Sequence, residues 1–104
     1  MDFLKLTAIV RSDLLAKVET ALQEAGVPGI SVTHVVGFGE YTNLYRHDWQ
    51  CSHAKIEIFI PERAAGDIVT TIESAASTGA AGDGIIAVQP VQDLIRIRTK
   101  SRVS

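Results

Sequence analysis

The order of the predicted elements constrains the fold more than any other feature of this sequence. A strand at 4–10, a helix that starts at Ser12 or Asp13 and a strand at 30–36 form one β-α-β pattern. A strand at 55–60, a helix over 65–76 and a strand at 85–88, closed by Pro90, form a second. Residues 37–53, between them, show neither period. This order predicts one α+β domain over residues 1–104, a ferredoxin-like βαββαβ sandwich with an extra short C-terminal strand.

The predicted sandwich leaves one face of its sheet without helices. The alternation of side chains along a strand directs Ile9, Val35, Phe59 and either Ile85 or Ile86 to that face. An exposed apolar patch of this extent is unusual on a monomer. We therefore expect copies of the chain to associate through their sheets with closed symmetry.

Composition excludes several classes of protein. Apolar residues make up 46% of the 104, which is enough for a core, and the net charge of -2 gives no positive field for nucleic acid. A single cysteine cannot form an intrachain disulfide and fits a reducing compartment. No apolar run is long enough to span a bilayer, and the first residues do not resemble a signal peptide. A cytoplasmic, soluble protein is expected, without membrane insertion or nucleic-acid binding.

A glycine-rich loop and two arginines predict an anion site. The motif Gly82-Asp83-Gly84 gives a backbone that can approach a ligand closely. Arg96 and Arg98 stand two residues apart, so in an extended chain their guanidinium groups share one face. The loop alone is equally typical of a helix-to-strand turn, but the arginines favour phosphate binding. Lys100 and Arg102 are interpreted as a solvated tail.

The aperiodic segment contains residues that suit a metal or a partner. His47, Cys51 and His53 lie close together and offer imidazole and thiolate ligands for Zn, Cu, Ni or Co. The alternative is a solvated loop with one free thiol. Trp49 is interpreted either as a partner anchor or as packing of the loop on its own assembly. An enzyme is not expected, because no nucleophile and base are paired on a rigid frame.

The motifs of this chain resemble those of the PII signal-transduction family over nearly its whole length. The resemblance is carried by Gly29–Gly39, Leu44-Tyr45-Arg46, Lys55–Pro61, Thr78-Gly79, Gly82-Asp83-Gly84, Pro90-Val91 and Arg96-Ile97-Arg98-Thr99. It implies a homotrimer that binds adenine nucleotide in clefts between subunits. It also implies that a loop after the second strand, the T-loop, here at about 37–54, docks on a target protein such as a membrane transporter.

The resemblance assigns roles to individual positions. The residues implied at the nucleotide are Ser31, Gly37, Gly39, Ile58, Phe59, Gly82, Asp83, Gly84, Arg96 and Arg98. Those implied for partner binding in the loop are Tyr45, Arg46 and Trp49. Ser31 stands where a threonine contacts adenine, and the backbone at Ile58 and Phe59 meets the same ring. Arg96 and Arg98 match the arginines of the nucleotide cleft.

Departures from the family pattern predict altered ligand preference. Ile85 stands where a lysine normally contacts phosphate, and Glu40 and Tyr41 replace a basic residue and a glutamine that helps to hold 2-oxoglutarate. His53 replaces a lysine that binds the same 2-oxoacid. We expect ADP or AMP to be preferred over ATP, without classical 2-oxoglutarate sensing. Trp49-Gln50-Cys51 also replaces the stretch with the tyrosine used for uridylylation.

The sequence thus predicts a trimeric, cytoplasmic, PII-like regulator that senses adenine nucleotide and controls its target through the 37–53 loop. The alternative is a metal-responsive protein that binds through His47, Cys51 and His53 and is linked to heavy-metal efflux or tolerance.

Overall fold

The computed structural model describes residues 3–35 and 53–103. Their strands are β1 (Phe3–Arg11), β2 (Ser31–Val35), β3 (His53–Pro61), β4 (Gly84–Val91), β5 (Ile95–Arg96) and β6 (Ser101–Arg102). The helices are α1 (Leu15–Glu24) and α2 (Ala65–Ala76), each preceded by a 3-10 turn, Ser12–Leu14 and Glu62–Ala64. Neither helix is long and apolar enough to cross a membrane, and these ranges contain no other α-helix.

The main sheet has four strands in the order β2-β3-β1-β4, and every neighbouring pair is antiparallel. Both helices connect strands across this sheet, and they pack against its one face and against each other. The α+β, ferredoxin-like fold predicted from the order of elements is therefore confirmed. The central strands β1 and β3 pair along their full lengths, from Phe3 with Pro61 to Arg11 with His53.

The core lies between the sheet and the two helices. Alternate residues of the central strands point into it, and each helix contributes a stripe of apolar side chains at helical spacing. The buried cluster consists of Leu6, Ala8, Val10, Val18, Leu22, Ile56, Ile58, Ile60, Ile68, Ile72, Ala75 and Ala76. Burial of each Leu, Ile or Val side chain contributes about 1.5–3 kcal/mol. These buried positions follow the periods of helix and strand in the sequence.

The opposite face of the sheet carries exposed apolar side chains. Ile9 pairs with Ile85 in register, while Ile86 packs on the core side, so Ile85 is the residue that belongs to the uncovered face. Phe59, on the same face, is 48% exposed and Ile85 is 41% exposed. The face is not uniformly apolar, because Lys5 Nζ lies 2.7 Å from a carboxylate oxygen of Glu57.

Proline does not end the fourth strand as the sequence predicts. β4 continues through Pro90 to Val91, and Pro90 pairs with Leu4. In the described sheet β4 is an edge strand with β1 as its partner. Proline lacks an N–H, but a strand edge without a partner does not require one, so the residue is compatible with the strand. The central strand β3 begins at His53, two residues before the start that the sequence predicts.

The C-terminal segment forms a small hairpin. Ile95 pairs with Arg102 and Arg96 with Ser101, so the predicted final strand is followed by a sixth strand. Arg98 therefore lies in the turn between the two strands rather than in the strand itself.

Lys100 and Arg102 are exposed, as the sequence predicts, but they belong to an ordered hairpin and not to a tail. Arg102 lies in β6, and its Nε lies 2.9 Å from Asp93 Oδ1. Lys100 ends the turn with φ of 56°, and its amide donates to Arg96 O at 2.8 Å. A left-handed residue at this position is typical of short hairpin turns and lets the chain reverse direction.

Gly84 is required by the close approach of β4 to β1. Its φ is +116°, and a Cβ added there would lie 1.8 Å from the carbonyl oxygen of Ile9. Because the oxygen is a backbone atom and the backbone of residue 84 fixes the position of its Cβ, neither atom can move without disturbing the strand pair. Gly82, two residues earlier, has open space around the position of a Cβ.

We predict that Gly84→Ala lowers the free energy of unfolding by about 2–4 kcal/mol, because it adds a backbone clash to an unfavourable φ. Urea unfolding monitored by circular dichroism measures the loss. Gly82→Ala is the matched control and should change stability by less than about 1 kcal/mol. Equal urea midpoints for Gly84→Ala and the wild type would contradict the prediction.

Candidate nucleotide site

The loop between α2 and β4 is organised by the carboxylate of Asp83. Its Oδ2 accepts hydrogen bonds from the amides of Thr78, at 2.7 Å, and Gly79, at 2.8 Å, and its Oδ1 accepts one from the Thr78 hydroxyl. The amide of Asp83 donates to Ala80 O at 3.2 Å, which closes the turn. Asp83 therefore holds the loop in shape, rather than presenting its carboxylate to a ligand.

These bonds lower the pKa of Asp83 from its usual value of 3.8. The largest cause is the hydrogen bond from the Thr78 side chain, followed by the backbone amide of the same residue. The negative charge also acts on Arg11, whose pKa is raised mainly by its hydrogen bond to Asp13 and, to a smaller extent, by Asp83. The loop thus contains an ionised carboxylate that is already satisfied by the loop itself.

Two amides of the loop remain available for an anion. Among the described residues, the N–H groups of Ala81 and Gly82 donate no hydrogen bond. Unbonded backbone amides can donate hydrogen bonds to an anion. The phosphate role of this loop stays a prediction from the sequence.

His53 connects this loop to the sheet. Its side chain is 3% exposed, and its Nε2 lies 2.7 Å from the carbonyl oxygen of Gly82. A carbonyl only accepts hydrogen bonds, so Nε2 must be the protonated donor. The sequence gives no indication of this contact, because the two residues are 29 positions apart. The strand register in the structure accounts for the contact, because it places His53 beside Arg11 at the end of the sheet where β4 also begins.

The other predicted residues lie towards the opposite end of the sheet. Ile58 and Phe59 follow His53 by five and six residues along β3, a separation of about 17–20 Å. Ser31, at the start of β2, pairs with Glu57, next to them. Ile58 is buried and Phe59 half-exposed, so the ring of Phe59 is accessible on the uncovered face.

The arginine hairpin also starts at that opposite end. β4 runs from Gly84, beside Val10, to Val91, beside Phe3, a length of about 23 Å. Both Arg96 and Arg98 are exposed, and Ile97 between them is 91% exposed. In the described part of the chain, no hydrogen bond or ion pair joins the hairpin to the Gly82-Asp83-Gly84 loop. A single chain therefore does not assemble the predicted residues into one cluster.

A cleft adjoins the glycine loop on the side of α2. It has a volume of about 460 Å³ and is lined mainly by apolar residues of β1, α2 and β4, with the carboxylates of Glu73 and Asp83 at its polar positions. Among the described residues that line it, there is no cation.

Several predicted residues lie outside the described ranges. They are Gly37, Gly39, Tyr45, Arg46, His47, Trp49 and Cys51. Within residues 3–35 and 53–103, no group of three or more His, Cys, Asp or Glu side chains is arranged to hold a metal ion. Of the three predicted metal ligands only His53 is described, and its Nε2 is engaged by Gly82.

Comparison with known proteins identifies the family. The family model described as "Nitrogen regulatory protein P-II" matches residues 3–101. This chain belongs to the P-II family. The nitrogen regulatory protein P-II of Rhizobium meliloti is 39% identical over 102 residues, which cover 91% of each chain. The nitrogen regulatory protein GlnK2 of Haloferax mediterranei is 37% identical over 100 residues, which cover 88% of this chain and 80% of that protein.

A solved P-II structure also has the same fold. The crystal structure of Arabidopsis thaliana PII bound to citrate matches 98% of this chain and 89% of its own chain, with a TM-score of 0.82 and 37% sequence identity. The chain is thus a P-II signal-transduction regulator, which confirms the family resemblance of its motifs.

We predict that Asp83→Asn destabilises the P-II fold at neutral pH but not in acid. The folded-state pKa of Asp83 lies below its usual value of 3.8, so the carboxylate contributes stability that is complete above that value and is lost as the pH falls through the lowered folded-state pKa. Urea midpoints of the wild type and Asp83→Asn should therefore differ at pH 7 and converge as the pH falls through the lowered folded-state pKa. A difference that stays constant over this range would contradict the prediction.

Proposed function

We propose that this P-II protein is a cytoplasmic homotrimer that binds adenine nucleotide in clefts between its subunits. Nucleotide binding controls a target protein, such as a membrane transporter, through the loop at 37–53. The observation that carries the proposal is the division of the predicted nucleotide residues between the two ends of the sheet.

Each end supplies a different part of the site. The end at His53 and Gly84 presents the unbonded amides of the glycine loop, which suit phosphate oxygens. The rest of the sheet presents Ser31 beside the middle of β3, Phe59 nearer its far end, and the start of the arginine hairpin. When one end of one subunit meets the other end of its neighbour, amides, guanidinium groups and an adenine-binding edge surround one ligand.

The uncovered sheet face supports this assembly. Phe59, Ile85 and Ile9 lie on it, and the hairpin exposes Ile95 and Ile97 in addition. Burial of such side chains against other copies is favourable at about 25 cal/mol per Å² of apolar surface. Association through this face would also bring the exposed hairpins against neighbouring subunits.

The residue after the glycine loop favours the shorter nucleotides. Ile85 follows Gly84 directly and points to the uncovered face, where it is half-exposed. An isoleucine cannot neutralise a third phosphate, whereas a charged hydrogen bond at that place contributes about 1.5–3 kcal/mol. The site therefore favours ADP or AMP over ATP, and its departures from the family pattern argue against coupling to 2-oxoglutarate.

We predict that Arg96→Ala and Arg98→Ala each weaken ADP binding at least tenfold, because each removes a charge-assisted hydrogen bond to phosphate. Isothermal titration calorimetry measures the affinity. Arg63→Ala removes an exposed arginine of the 3-10 turn before α2, and this control should bind ADP like the wild type. Wild-type affinity in both hairpin variants would refute the proposed cleft.

We predict that subunit mixing restores binding sites if the cleft lies between copies. One variant carries Arg96→Ala and Arg98→Ala, and the other carries Asp83→Ala, which disturbs the glycine loop. After the two are unfolded together in equal amounts and refolded, about a quarter of the clefts should combine an intact loop with an intact hairpin. Calorimetry that detects no wild-type sites in the mixture would place the site within one chain.

We predict that Ile85→Lys raises the affinity for ATP relative to ADP about tenfold, because it adds a cation beside the terminal phosphate. Ile85→Gln, which has a similar length and no charge, should leave the ratio near that of the wild type. Competition between ATP and ADP, measured with and without 2-oxoglutarate, gives the ratio. Tight binding of Mg-ATP to the wild type that depends on 2-oxoglutarate would contradict the proposed ligand preference.

A further inference from the structure

His53 is the buried polar side chain of the described residues, and its position is unusual. It begins β3 on the face of the sheet that has no helices, yet it is 3% exposed. A buried polar group is stable only when it is hydrogen-bonded, and the Nε2 contact with Gly82 meets this requirement. The bond joins β3 to the glycine loop past β1, which lies between β3 and β4 in the sheet.

The bond acts on one peptide group of the loop. His53 Nε2 donates to Gly82 O, and the amide on the other side of the same peptide, that of Asp83, donates to Ala80 O at 3.2 Å. The oxygen and the nitrogen of a trans peptide point in opposite directions in one plane. The Gly82–Asp83 peptide is therefore held at both of its polar atoms.

If His53 is removed, this peptide keeps only the bond from its amide to Ala80 O, and its carbonyl oxygen loses its partner. The bonds of the Asp83 carboxylate go to Thr78 and Gly79, at the start of the loop. Gly84 is held against Ile9 by the close approach of the two backbones. Gly82 lies between these anchors. As a glycine it has wide backbone freedom, and the space at the position of a Cβ is open.

We propose that His53 is a positioning residue, which fixes the Gly82–Asp83 peptide and thereby holds the unbonded amides of Ala81 and Gly82 in place for an anionic ligand. The role rests on the proposed nucleotide cleft, in which these amides meet phosphate. In this role His53 contacts the loop and not the ligand. His53 is the first residue of β3 and directly follows residues 37–52. Its bond therefore connects the end of that segment to the phosphate side of the cleft.

Two substitutions test this role, His53→Gln and His53→Asn. Their amide side chains differ in length but little in polarity. In His53→Gln the side-chain nitrogen can occupy nearly the place of Nε2, whereas in His53→Asn the side chain is one methylene shorter and cannot reach Gly82 O. His34→Asn, on the neighbouring strand β2 and exposed, is the control. Amide hydrogen exchange of residues 80–84 is measured by NMR without nucleotide, and ADP affinity is measured by calorimetry.

We expect His53→Asn to exchange its loop amides about five- to tenfold faster than the wild type and to bind ADP about five- to tenfold more weakly, the effect of one hydrogen bond. His53→Gln should stay within about twofold of the wild type in both measurements. Unchanged loop exchange in His53→Asn would overturn the proposal. So would faster exchange with unchanged ADP affinity, because the bond would then have only a structural role.

The two proposals fail in distinguishable ways. If the wild type binds no ADP, the nucleotide cleft is refuted, and the exchange rates still decide whether His53 holds the loop. If the wild type binds ADP and His53→Gln loses as much affinity as His53→Asn, the hydrogen bond to Gly82 is not what positions the amides.

Discussion

The contact between the backbones of Gly84 and Ile9 is the constraint on which the rest of the site depends. Because no side chain separates them, β4 can begin directly beside β1, at the end of the sheet where β3 also starts. This start sets the alternation of the strand, so that Ile85 lies on the uncovered face and Ile86 packs on the core. It also fixes the distance between the glycine loop and His53. A shift of one residue would exchange the two faces of β4.

Within the loop, polar groups are divided between two tasks. The carboxylate of Asp83 is used for holding the turn, and its low pKa reflects the bonds from Thr78. The amides of Ala81 and Gly82 are not used in this way. The charge of Asp83 is therefore satisfied within the loop, which is compatible with the proposed role of these N–H groups toward phosphate. In the proposed cleft, the cations come from the exposed C-terminal hairpin.

The order of elements and the core could be predicted from the sequence because they depend on local periodicity. Val18 and Leu22 on α1, and Ile56, Ile58 and Ile60 on β3, follow the periods of helix and strand and are buried as expected. Pro90 wrongly indicates the end of β4. Whether a proline ends a strand depends on whether the strand has a partner on the side of the missing N–H. The hairpin was missed because a two-residue strand has no period. The contact between His53 and Gly82 could not be predicted, because it depends on the register of strands that are distant in sequence.

The ion pair of Lys5 and Glu57 adds charged groups to the apolar side chains of the uncovered sheet face. The hydrogen bond from Lys5 lowers the pKa of Glu57, so the carboxylate stays charged, and Lys55 Nζ lies 3.9 Å from its other oxygen. The cluster therefore contains two ammonium groups and one carboxylate. A second copy that covers this cluster must leave Lys55 in contact with water or supply a partner for its charge. The sheet face that we propose as an interface is therefore selective for charge as well as for apolar surface.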